Sequence, residues 1–237
     1  MGEEKANSLF PILPSGPVGV ARLAAEATEA GRSGGKNGLG VEFRTMAARS
    51  MLNRVVSKRM PFFTWGLNPY RGCEFGCRYC YARYTHEFLD KDDPELFERE
   101  IFIKDHAAWL LRQELRQVKE GEEIALGTAT DPYQPVERQA RVMRSLLEVF
   151  AEQEGLRLGI VTKSTLIERD LDLLTRIAAR NRLTLHVTIT TPDAKLARVL
   201  EPRAPRPDLR FQTVARLREA GLRAGILCSS FVRSAMS

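Results

Sequence analysis

Cys73, Cys77 and Cys80 fall within the stretch NPYRGCEFGCRYCYAR, Asn68 to Arg83, in a chain that has only four cysteines. The spacing is C-x3-C-x2-C. Thiolates crowded this closely hold a soft metal or take part in redox chemistry. An odd number argues against a disulfide pair. Two metal readings follow from the residues. A closed zinc site needs four ligands, and His86, six residues past Cys80, can supply the fourth to give a Cys3His centre. A [4Fe–4S] cluster held by three cysteines instead keeps one iron open to a cofactor or substrate. Gly72 and Gly76 bracket the first cysteine and give the backbone the freedom a tightly wound loop needs.

The elements that must position this loop read as alternating strands and helices. Phe62 to Leu67 is an apolar run leading into it. Strands are expected at Glu123–Thr128, Leu158–Thr162, Leu183–Thr190 and Leu222–Cys228. Helices are expected at Ile103–Val118, Glu137–Glu154, Asp170–Ala179 and Asp208–Ala220, with Trp109, Leu110 and Leu115 on one face of the first. Alternation at this spacing predicts parallel β/α units, an α/β fold of partial (β/α) barrel type with about five units. Functional groups then collect at the carboxyl ends of the strands. Residues 1–60 read as a poorly ordered N-terminal extension, with a short helix at Ala21–Ala30 followed by the linker-like AGRSGGKNGLG; residues 61–237 read as the core.

Composition sets the context. Hydrophobic residues make up 43% and charged residues 28%, the balance of a soluble globular chain. No apolar run is long enough for a membrane-spanning helix. The N-terminus lacks the basic start and apolar core of a secretory signal, so the expected compartment is the cytoplasm, where thiols stay reduced. The formal charge of +6 permits a polyanionic partner such as nucleic acid without demanding one.

The cysteine loop, taken with GTATDPYQPVE, VTKSTLIERDLDLL and TITTPDAKLARVLEPRAP in that order, resembles the radical S-adenosylmethionine (SAM) superfamily, and within it the branch related to spore photoproduct lyase. The resemblance spans about residues 50 to 228. It implies that Cys73, Cys77 and Cys80 ligate a [4Fe–4S] cluster. The open iron would then chelate SAM, and one-electron reduction would give a 5′-deoxyadenosyl radical that abstracts hydrogen from a substrate. A low-potential donor of the ferredoxin or flavodoxin type is implied as well.

The same resemblance assigns cofactor roles along the rim. Tyr79 would lie beside the adenine and Tyr81 toward the substrate. Gly127, Thr128 and Thr130, at the end of the second strand, would meet the methionine amino group. Lys163 would meet the SAM carboxylate, with a salt bridge to Asp131 as its structural alternative. Thr188 or Thr190 would bond the ribose or carboxylate. His186 reads as an interior histidine, and Glu201 and Arg203 as an ion pair or cofactor lining.

Two departures stand out. Spore photoproduct lyase uses a hydrogen-donating cysteine near the second strand end; this segment has none, and the spare thiol, Cys228, lies on another strand. The core is also expected to stop one strand short of the family's six units, as a C-terminally truncated chain would.

Overall fold

The computed structural model describes residues 40–55, 62–89 and 93–228. The expected helix at Ala21–Ala30 and nearly all of the adjoining linker lie outside them.

Five short strands, β3 (Trp65–Leu67), β6 (Glu123–Leu126), β7 (Arg157–Thr162), β8 (Arg182–Thr188) and β9 (Ala224–Leu227), run parallel in that order. β2 (Leu52–Arg54) joins antiparallel at the β3 edge, completing a six-stranded open sheet. A second sheet has the order β1-β5-β4, where β1 is Glu42–Ala47, β4 Tyr70–Arg71 and β5 Glu100–Asp105. The fold is thus mixed α/β with a parallel sheet, as expected. The described strands form no closed barrel.

The helices follow the strands. They are α1 (Leu96–Arg99), α2 (Ala107–Glu114), α3 (Glu137–Ala140), α4 (Val142–Ala151), α5 (Leu171–Arg180), α6 (Ala194–Leu200) and α7 (Pro207–Glu219). β8 shows why its strand forms: Leu183, Leu185 and Val187 are buried at alternate positions and pack into the main core with Ile160, Leu146 and Ile177.

Three expectations need correction. The packed core starts well before residue 61: Val41 and Met51 are fully buried, and β1 pairs with β5 over six residues. Ile103 belongs to β5, not to a helix. His106, at φ 53°, turns the chain into α2, so Leu111 and Leu115 face the core while Trp109 is 61% exposed. The helix expected over Glu137–Glu154 breaks at Arg141, φ 52°, into α3 and α4.

Candidate active site

Leaving β3, the chain passes through Asn68 and Pro69 into β4 and then wraps the cysteines. Gly72 has φ 79°, and a Cβ there would sit 2.5 Å from the Glu100 carbonyl oxygen. Only glycine fits this approach. It lets the Cys73 amide donate to the Phe97 carbonyl at 2.8 Å. Gly76, φ 59°, passes equally close to the Glu98–Arg203 ion pair. Fully buried Gln134 clamps the loop from the other side: its amide nitrogen donates to the Gly72 carbonyl at 3.1 Å, and its oxygen accepts from the Glu74 amide at 2.8 Å.

All three loop cysteines are free thiols, and Cys73 and Cys77 are buried among Phe75, Ala82, Phe97 and Ala204. Burial raises both thiols. Cys73 is pushed up further by Asp131, while Cys77 rises to about 11 despite the opposing charge of Lys163. Such thiols, left as they are, are poor nucleophiles. Three sulfur donors on an apolar floor beside one cation fit a thiolate-ligated iron–sulfur group, which would displace the thiol protons and balance the thiolate charge.

The zinc alternative loses its fourth ligand. The His86 ring packs edge-on against Phe97 and Phe102, and its Nε2 meets the Glu100 carbonyl at 3.2 Å. Among the described residues no three or more His, Cys, Asp and Glu side chains converge on one ion position.

The rim beside the cysteines is built from four strand ends. Asp131 accepts from Thr162 Oγ1 (2.7 Å), the Tyr133 amide (2.9 Å) and the Lys163 amide (2.7 Å). The Lys163 ammonium lies 5.7 Å from the centre of the Tyr79 ring. Burial works against its charge, but Cys77, Tyr79, Glu201 and Asp131 together hold its pKa above the usual lysine value. The Tyr79 hydroxyl donates to Glu201, which also accepts from Thr190. Behind them Glu201 pairs with Arg210 at 2.6 Å, both 1% exposed. Arg210 also donates to the carbonyls of Thr188 (3.0 Å) and Pro205 (2.7 Å). Burial alone would raise the Glu201 carboxyl, yet Arg210, Thr190, Tyr79 and Lys163 keep it below the usual range.

The structure brings Tyr79, Lys163 and Thr190 together and gives other expected residues structural partners. The hydroxyl of Thr128 accepts from Asn68 Nδ2 at 3.1 Å, and that of Thr130 donates to the Tyr70 carbonyl at 3.1 Å. Asn68 Oδ1 also accepts from the Ala129 and Thr130 amides. Gly127, φ 84°, is needed because a Cβ would strike the Val161 carbonyl and Pro132. Thr188 is buried and lends its carbonyl to Arg210. Tyr81 is 66% exposed, with its hydroxyl on the Thr128 carbonyl. His186 sits half-buried in β8, in register between Val161 and Gly225, and Cys228 is exposed at the end of β9. The expected Glu201–Arg203 pair does not form, since Arg203 goes to Glu98 and Glu201 to Arg210.

Four residues escaped the sequence reading: Asn68, Gln134, Glu137 and Arg210. The first three lie inside quoted motif segments, which was a usable signal. Glu137, fully buried, accepts from the Tyr70 hydroxyl and the Met143 and Arg144 amides and pairs with Arg169 at 2.7 Å.

Residues 67–232 match the model of the radical SAM superfamily. An uncharacterised protein of Mycobacterium tuberculosis is 37% identical over 184 residues, covering 77% of this chain and 54% of that one. One from Methanocaldococcus jannaschii is 25% identical over 165 residues, covering 70% and 59%. Among solved structures, a spore photoproduct lyase variant with bound AdoMet and dinucleoside spore photoproduct superimposes with a TM-score of 0.59. It shares 17% identity, over 78% of this chain and 50% of that one. The chain therefore spans about half the length of the relatives it matches.

Proposed function

The chain belongs to the radical SAM superfamily, a family of enzymes, and on that premise we propose that Cys73, Cys77 and Cys80 hold a [4Fe–4S] cluster whose open iron takes SAM. The observation that carries this is the three free thiols on one glycine-bent loop, two of them buried, with the Lys163 charge acting on Cys77. When bound and reduced, the pair supplies a 5′-deoxyadenosyl radical that abstracts a hydrogen atom.

The chain's own residues bind, orient and exclude water. Gly72 and Gly76 let the loop close tightly, and Phe75, Ala82 and Phe97 keep solvent from the sulfurs. Lys163 offers its charge to the cofactor carboxylate; its ammonium is not drawn off by Asp131, which is engaged by the Lys163 amide instead. Tyr79, held by Glu201 and Thr190, presents its ring beside the cysteines. Thr190 is the rim hydroxyl we assign to the cofactor, whereas Thr128 and Thr130 shape the wall through Asn68 and Gly127 through its amide on the Leu67 carbonyl.

The substrate class we propose is nucleic-acid derived. The +6 charge suits it, and the fold neighbour was solved with a dinucleoside photoproduct. Photoproduct repair by the lyase's cysteine route is not proposed, because the segment that follows β6, Gly127 to Glu137, contains no cysteine. The proposed reductant is of ferredoxin or flavodoxin type, and the proposed compartment is the cytoplasm. Among the described residues no helix is long and apolar enough to cross a membrane.

Anaerobic reconstitution with iron and sulfide is the test. The expected product is brown, gives a reduced-cluster EPR signal that SAM perturbs, and forms 5′-deoxyadenosine on reduction. Stoichiometric zinc with no iron uptake would overturn the proposal.

A further inference from the structure

On β5, residues Glu100, Phe102 and Lys104 point to one face and Ile101 and Ile103 to the other. Arg71 stands opposite Phe102 in the antiparallel β4–β5 pair, so Arg71 and Lys104 are diagonal cross-strand neighbours on the same face. Diagonal positions lie roughly 7–8 Å apart at the backbone, within reach of two long side chains.

Lys104 is 8% exposed and Arg71 half-buried, and neither side chain makes a hydrogen bond or ion pair among the described residues. The nearby acids are engaged elsewhere. Glu100, the other diagonal neighbour of Arg71 on this face, lies 3.8 Å from Arg44, Glu114 accepts from the Met51 and Leu52 amides, Glu42 pairs with Arg44 at 3.0 Å, and Asp105 accepts from the His106 amide at 2.8 Å. Burial, and then the positive charge of Arg71, hold Lys104 down to about 8, with Glu114 only partly opposing. Two adjacent cations withdrawn from water, with their charge only partly offset by Glu114, are costly, and an anion between them reverses the cost.

We propose that Arg71 and Lys104 form a binding site for a phosphate group, on the β4–β5 pair that leads into the cysteine loop. The planar fork of arginine meets two oxygens of one anion side by side, and the lysine point charge takes a third. A phosphate satisfies both at once. The site is independent of the radical reading, and its test uses the iron-free chain, so its failure leaves that reading untouched.

Thermal unfolding and ³¹P NMR titration are followed with inorganic phosphate, against sodium chloride at matched ionic strength. The wild-type chain is expected to bind saturably and gain thermal stability beyond the chloride control. Arg71→Gln and Lys104→Met each weaken binding by roughly ten- to a hundredfold, as loss of a charged donor does. Arg71→Lys keeps part of the affinity, and Arg44→Gln, on the same face but already paired, keeps all of it. A short single-stranded oligonucleotide without terminal phosphates that displaces phosphate assigns the site to a polynucleotide backbone. One that does not assigns it to a free or terminal phosphate. Absence of saturable binding by the wild type overturns the site whatever the variants do, as does binding undiminished in both Arg71→Gln and Lys104→Met.

Discussion

Breaking the Glu201–Arg210 pair tests how the rim is held. Arg210→Met removes the cation 2.6 Å from a carboxylate that is 1% exposed, together with donors to Thr188 and Pro205. Removing one partner of a buried pair costs about 3–5 kcal/mol, because the other charge is left uncompensated. Glu201→Gln keeps the shape and an acceptor for Tyr79 and Thr190 but strands Arg210, at a cost of about the same size. In Glu201→Gln/Arg210→Met no charge is stranded, so the double variant should lose about 2 kcal/mol less than the two singles together. Urea unfolding of the iron-free chain at neutral pH reads all four corners of the cycle. The sign with pH follows from Glu201, whose folded carboxyl is held below its ordinary value. Its contribution is present above the unfolded value and lost as pH falls through the folded one, so the coupling should shrink in acid. Single losses that sum to the double loss within about 0.5 kcal/mol would refute the reasoning.

Other expectations follow from single residues. In phosphate-free buffer Lys104→Met should be more stable than wild type at pH 7 by roughly 3 kcal/mol, since a lysine held near 8 costs that much while charged. Between pH 8 and about 10.5 the unfolded wild type binds the extra proton, so wild-type stability rises and the gap should close; parallel pH–unfolding curves would sink this. Gly72→Ala sets a side chain at φ 79° against two backbone carbonyls, Glu100 and Phe97, and should cost about 3 kcal/mol or more and abolish iron uptake. Glu114→Ala strips the acceptor from the Met51 and Leu52 amides, at 2.9 and 2.7 Å, and should cost about 2–5 kcal/mol, read as faster hydrogen exchange at those two amides.

Much of the parallel sheet was legible because β6, β7 and β8 carry apolar residues in short runs between clear helical patterns. β1 was not. Its residues EFRTMA alternate charge with bulk, and only Met46 is buried, against Phe102 of a strand that itself merges into a helical pattern. The boundary between β5 and α2 rests on His106 in the left-handed region, and the break between α3 and α4 on Arg141 in the same region. Neither residue type announces that conformation, whereas a glycine would have. At the site, the cysteine loop was legible because its signal is local in sequence. Arg210 was invisible because its pairing with Glu201 depends on α7 packing back under the end of β8. Proximity in sequence favoured Arg203, which the fold turns toward Glu98 on α1.

The motif segments carry more scaffold than their small polar residues suggest. Asn68 ties the start of the cysteine loop to Thr128, Ala129 and Thr130, and Gln134 ties its middle to Gly72 and Glu74. Asp131 joins the ends of β6 and β7 through Thr162 and the Lys163 amide. The rim is therefore fixed by bonds that use no ligand, which lowers the ordering cost of binding one. What this scaffold leaves unspent is the Lys163 ammonium, kept charged by the groups around it and stacked on Tyr79 between the second and third cysteines. As thiolates, the three loop cysteines would carry more negative charge than one lysine cancels, and the proposed cluster would supply the remaining positive charge. Iron-free protein should accordingly keep Cys73 and Cys77 protonated and its rim shape intact, and metal uptake should release protons as their thiolates form.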